Sequence, residues 1–113
     1  MHRILIPVDG SDNAARALNY ALKLAKENGS IELRLLTVHP EPMIYGEIQV
    51  YVSKEKMEEL QRKRSKDILR PAAEAARAAG VPYTSEIVVG ETAQMIVNRA
   101  NELNCDGIVM GTR

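Results

Sequence analysis

The chain has 113 residues, with 15 Lys and Arg balancing 15 Asp and Glu, 45% hydrophobic content, one Cys and two His. That is the size of one compact domain, without the positive field that would hold a polyanion and with only four Tyr on which bases could stack, so nucleic-acid binding is excluded as a first reading. A single Cys forms no internal disulfide, two His are too few for a His-based metal site, and no apolar run reaches the ~18 to 20 residues of a membrane span. The start, Met1-His2-Arg3-Ile4, carries no signal-peptide pattern, and a cytoplasmic address is expected.

Short aliphatic runs alternate with longer helical patterns, the signature of strand–helix units around a parallel sheet. Arg3 to Val8 reads as a first strand (β1), aliphatic enough to be covered on both faces, with Pro7 at the end where a ladder N–H can be spared. In the helix that follows (α1), Ala14, Ala17, Leu18, Ala21, Leu22 and Ala25 fall at spacings of three and four; Ser11 or Asp12 can cap its start and Gly29 can close it. Ile31 to Val38 reads as the second strand (β2). After His39-Pro40-Glu41-Pro42, the stretch 43–52 is apolar without a helical period and is expected to be a partly ordered loop. A long helix (α2) should begin near Lys54, capped by Ser53 with Val52 and Met57 as a hydrophobic staple. Its stripe is Met57, Leu60, Ile68, Ala72, Ala75 and Ala79, and Gly80 ends it. Pro71 removes one backbone hydrogen bond and should kink or divide this helix. The pattern continues with a strand at Tyr83 to Val89 (β3), a helix at Thr92 to Leu103 (α3) with Ala93, Ile96, Val97, Ala100 and Leu103 on one face, and a strand at Asp106 to Met110 (β4).

The expected fold is therefore α/β, an open doubly wound parallel sheet in the order β1-α1-β2-α2-β3-α3-β4. In such a sheet β1 is central, β2 and β3 go to one side and β4 to the other, and the ligand crevice lies at the switch point between β1 and β4. Asp9-Gly10-Ser11 follows β1 there, and Gly111-Thr112-Arg113 follows β4. Asp9 could accept ribose hydroxyls or hold a Mg²⁺-bound water, with N–H groups at the start of α1 offered to an anion. Turn chemistry plus an N-cap explains the same three residues, and both readings stay open. There is no G-x-x-x-x-G-K-[ST] and no G-x-G-x-x-G after β1, which excludes a P-loop NTPase and makes an ordinary dinucleotide fold a poor match. No convincing pair of general base and nucleophile is visible.

Ile4-Leu5-Ile6-Pro7-Val8-Asp9-Gly10-Ser11, Leu35-Leu36-Thr37-Val38-His39, Val89-Gly90 and Asp106-Gly107-Ile108-Val109-Met110-Gly111-Thr112-Arg113 together resemble the universal stress protein (UspA) family, with its adenine nucleotide alpha-hydrolase-like fold. The resemblance covers the whole chain, 1–113, as a single domain. It implies an ATP-binding protein of the stress response that uses Mg²⁺ and pairs as a homodimer. By that resemblance Pro7, Val8, Asp9, Ser11 and Val38 surround the nucleotide, and Met110, Gly111 and Arg113 open the phosphate loop; a metal would be held weakly through water by Asp9. Members are similar in carrying one more helix and a fifth strand that often pairs two subunits, so the chain is expected to be a C-terminally incomplete domain. The alternatives are a dimer of the same type that acts through protein contacts without ATP, and, with least support, a slow ATP hydrolase. His39, at the end of β2, is expected to be solvated or near the ligand, and Cys105 to be a small buried hydrophobe.

Overall fold

The computed structural model describes residues 2–39 and 54–111. Four parallel strands, β1 (His2–Pro7), β2 (Ile31–His39), β3 (Tyr83–Val89) and β4 (Gly107–Ile108), form one sheet in the order β3-β2-β1-β4. Helices α1 (Asp12–Glu27) and α2 (Lys54–Ala78) pack on one face, and α3 (Thr92–Glu102) on the other. Right-handed crossovers require this arrangement. The connections β1 to β2 and β2 to β3 step in one direction, whereas β3 to β4 steps back across two strands and so places its helix opposite.

Alternation along the strands divides the core. Ile6, Val8, Ile31, Leu33 and Leu35 point toward α1 and α2, where Leu18, Ala21, Leu22, Ala25, Leu69, Ala72 and Ala76 meet them. Leu5 and Leu36 point toward α3 and meet Ile96 and Ala100. All six expected apolar positions of α1 are buried, and Ser11 rather than Asp12 is its N-cap, with Oγ accepting from Ala14 N–H at 3.1 Å.

Four expectations change. Of the kink or division expected at Pro71, division does not occur, for helix α2 runs on through it. Pro71 is exposed, while Leu69, Ala72 and Ala76 are buried on the inner side, so packing of the flanking residues offsets the one lost hydrogen bond. The core stripe of α2 is broader than the expected one: Ile68, Ala72, Ala75 and Ala79 join it as expected, Ser65, Leu69 and Ala76 are buried beside them, and Leu60 is 53% exposed. Likewise on α3, Ile96 and Ala100 are buried while Ala93 and Val97 face solvent. Finally, β4 is two residues long rather than five. Val109 N–H still donates to the Leu5 carbonyl at 3.0 Å, but the next bond of a parallel ladder needs an N–H on residue 7, and Pro7 has none. The proposed cap Ser53 and the stretch 43–52 lie outside the described residues.

On the face that carries α3, the basal half of the sheet is polar. Glu32 accepts from Arg3 Nε and lies 3.4 Å from Arg34, while Arg3 also donates to the Leu103 carbonyl and Arg34 to Thr84 Oγ1 at 2.5 Å. Arg99 grips both carboxylate oxygens of Glu86, at 2.7 and 3.0 Å. The Arg3 hydrogen bond holds the Glu32 carboxyl below its usual range. Arg34 Nε is enclosed and has no hydrogen-bond partner among the described residues.

Candidate functional site

The crevice opens at the C-terminal ends of β1 and β2, where β4 leaves β1. Its wall begins at the end of β1. There β1 leaves β4 and stays tied to β2: Val8 N–H donates to the Leu36 carbonyl at 2.8 Å, and the buried Thr37 hydroxyl donates to the Val8 carbonyl at 3.0 Å. Both polar groups of the Val8 backbone are thereby fixed. Asp9 follows with its Oδ1 accepting from Ser11 N–H at 2.9 Å, an Asx turn that carries the chain into α1. Between them Gly10 takes φ +83°, a left-handed conformation costly for any residue with a Cβ, and it lies against Ile68 of α2.

Pro7, Val8, Asp9, Ser11, Val38, Met110 and Gly111 all line one crevice of about 170 Å³. The sequence placed them there; Arg113 lies outside the described residues. The lining also includes Asn13 and Ala14 from the first turn of α1, Leu36, and Thr92 and Ile96 from the start of α3. Sequence reasoning missed these five. Thr92 and Ile96 were within reach of it, because a helix that crosses back over the sheet to reach β4 must pass its first turns over the end of β1.

Gly111 closes the crevice against α1. A Cβ there would overlap the backbone carbonyl of Asn13, so this approach admits only glycine. The first turn of α3 is held by Glu91, whose carboxylate accepts from Ala93 and Gln94 N–H at 3.2 and 2.7 Å. Glutamate is not among the favoured N-cap residues, which is why the pattern gave no signal for it. His39 does not face the crevice. Its Nδ1 lies 2.8 Å from Ser65 Oγ, and it borders a separate cleft between β3 and α2.

Chemically the lining combines the apolar Val8, Leu36, Val38 and Ile96 with the polar Asp9, Ser11, Asn13 and Thr92. Asp9 is its one ionisable side chain among the described residues, and no described cluster of His, Cys, Asp and Glu could by itself hold a metal. Such a wall suits a flat apolar ring beside a group rich in hydroxyls. The volume is below the ~300 to 1,000 Å³ that encloses a drug-sized ligand, so these residues form part of the enclosure of anything as large as a nucleotide.

The family model described as "Universal stress protein family" matches residues 1–113. The chain is similar to the universal stress protein YxiE of Bacillus subtilis, 35% identical over 118 residues, covering 99% of this chain and 79% of that protein. Among solved structures, one from the universal stress protein family of Burkholderia pseudomallei superposes with a TM-score of 0.81 at 26% identity, covering 97% of this chain and 80% of that one. A universal stress protein in complex with cAMP superposes at 0.67 with 25% identity, covering 96% and 70%. No helix among the described residues is long and apolar enough to cross a membrane. With the motifs after β1 and β4 drawn together at one switch point and the whole length matched, the chain belongs to the universal stress protein family.

Proposed function

We propose that this protein binds an adenine nucleotide, ATP with Mg²⁺, in the crevice between β1 and β4, and that occupancy changes its contacts as a cytoplasmic homodimer in a stress response. The observation that carries the reading is the gathering of Pro7, Val8, Asp9, Ser11, Val38, Met110 and Gly111 around one crevice whose lining is part apolar and part polar. The cAMP complex of a relative supports the adenine class. The ring would lie against Val8, Val38 and Ile96, the ribose hydroxyls would donate to the Asp9 carboxylate, and the phosphates would sit toward the first turn of α1, whose N-terminal backbone N–H groups favour an anion. Among the described residues no Lys or Arg lines the crevice; Mg²⁺, held by the phosphates and through water by Asp9, would supply positive charge there.

The test is to denature the purified protein and chromatograph the supernatant, then titrate stripped protein with ATP, AMP and cAMP with and without Mg²⁺. An adenine nucleotide released, or saturable binding to the stripped protein, is expected. No released nucleotide and no binding of any of the three would overturn the reading in favour of action through protein contacts alone. Val97, Ile108 and Met110, which are 50%, 39% and 56% exposed, supply an observation on that side. ATP hydrolysis has the least support, since Asp9 is the one carboxylate positioned in the described crevice.

A further inference from the structure

The strand β3 bounds the sheet on the side away from β4, and among the described residues only β2 pairs with it. Leu33 N–H donates to the Pro82 carbonyl at 2.9 Å and Gly90 N–H to the His39 carbonyl at 3.0 Å. In a parallel ladder this turns the main-chain groups of Thr84, Glu86 and Val88 toward β2 and those of Ser85, Ile87 and Val89 outward. Nothing in the strand itself blunts that edge. Its register with β2 is unbroken over seven residues, it holds no Pro or Lys, and its one charge, Glu86, is gripped by Arg99 of α3.

Helix α2 runs antiparallel beside this edge. Arg62 and Lys66 share a cleft of about 280 Å³ with Ile87 and Val89, and Lys66 and Arg70 share the next, about 380 Å³, with Ser85 and Ile87. All three cations are exposed, and so is Val89, at 47%. Glu58 also lines the first cleft and Asp67 holds Arg70 at 3.0 Å, but from 62 to 70 the helix carries Arg62, Lys63, Arg64, Lys66 and Arg70 against Asp67 alone. We infer that this edge takes up an extended acidic segment of another protein as a further strand. The main chain of that segment pairs with the outward N–H and C=O groups of Ser85, Ile87 and Val89, and carboxylates on its alternate residues meet the cations of α2. The spacings agree. Alternate residues of a strand are about 6.6 Å apart and every fourth residue of a helix about 6 Å, so a row of acidic side chains stays in step with Arg62, Lys66 and Arg70. A nucleic acid would satisfy the cations and leave the main-chain groups of the edge unused, which is why a peptide is favoured. The edge lies across the sheet from β4, so the inference goes beyond the nucleotide reading and does not depend on it.

The probe is a fluorescein-labelled peptide of alternating Glu and Val, titrated with the full chain by fluorescence anisotropy, beside a Lys–Val peptide of the same length and an oligodeoxythymidine. The Glu–Val peptide should bind at least about tenfold more tightly than the Lys–Val peptide. Lys66→Glu should cost at least about tenfold, the size of one charge-assisted hydrogen bond. Ser85→Pro removes an outward donor, leaves the ladder to β2 intact and should weaken binding similarly. Thermal melts show that both variants fold. In the parent, NMR hydrogen exchange should slow at the amides of Ser85, Ile87 and Val89 when the peptide is bound, a readout that needs no variant. No saturable binding, equal binding of the Lys–Val peptide, or binding that leaves those amides exchanging as before would overturn the proposal. So would an oligodeoxythymidine that binds while the Glu–Val peptide does not, which would make the basic row of α2 a nucleic-acid surface.

Discussion

The two faces of the sheet are built from the same strands and differ in what they ask of a side chain. Toward α1 and α2 the strands present the aliphatic Ile4, Ile6, Ile31, Leu33 and Leu35, and two helices meet them with buried Leu and Ala. Toward α3 the same strands offer Leu5 and Leu36 near the crevice and Arg3, Glu32 and Arg34 at the base, and the single helix brings Ile96 and Ala100 with Arg99 beside them. The first face supplies most of the apolar burial. The second gives up part of that burial to leave room at the ends of β1 and β4, and the crevice occupies that room.

One leucine-to-alanine substitution on each face puts the contrast at its widest. Leu33 is fully buried against α1 and α2, and Leu33→Ala should cost about 3 to 4 kcal/mol; Leu103, partly exposed on the α3 side, should cost about 1 kcal/mol. Urea denaturation of both variants measures this, and equal costs would erase the distinction. A smaller effect is expected where the faces join. Gly111→Ala forces β4's exit away from Asn13, and nucleotide affinity should fall at least about tenfold while the melt moves little, since Gly111 is exposed and beyond the core.

Asp9 separates two roles in one residue. Its Oδ1 serves the turn, so Asp9→Ala should lose about 1 kcal/mol of stability and, in addition, about ten- to a hundredfold in MgATP affinity. Asp9→Asn keeps an acceptor for Ser11 N–H, so it should restore most of the melt without restoring Mg²⁺-dependent binding. Calorimetric titration beside thermal melts reads both; an asparagine variant that binds MgATP as the parent does would remove the charge from the site. The smallest effect is expected at the charged base of the α3 face. Arg3 lowers the folded-state pKa of Glu32, so the stability this carboxylate contributes is present above the ordinary carboxylate range and lost as pH falls through the lowered value. Glu32→Gln should flatten the acid limb of stability against pH, and an unchanged limb would show that the pair contributes nothing there. On the same face burial pushes the Cys105 thiol up, so alkylation of the native chain at neutral pH should be slower than that of the unfolded chain.

The element order and the crevice motifs could be read from the chain because they rest on local patterns: the aliphatic strands, the spacing of alanines in α1, and Pro7-Val8-Asp9-Gly10-Ser11 at the end of β1. Where the reading failed, the deciding partner lies far away in sequence. The shortness of β4 is set by a proline a hundred residues earlier. Continuity of α2 across Pro71 depends on what Leu69, Ala72 and Ala76 find on the sheet, and the exposure of Leu60 on how far the sheet extends beneath it. His39 is taken by Ser65, a serine that nothing in its own neighbourhood marks as a partner.

The turn from Val8 to Ser11 has two sides. One lines the crevice, and the other, through Val8, Gly10 and Ser11, lines the groove between α1 and α2. The crevice and the groove thus share Val8 and Ser11, with Gly10 between them in a left-handed conformation. An occupant of the groove that reset this turn would change nucleotide affinity, and by linkage nucleotide would change that occupant's affinity by the same factor. A chain with four strands and three helices among its described residues then has the minimum equipment for reporting on one molecule by its affinity for another.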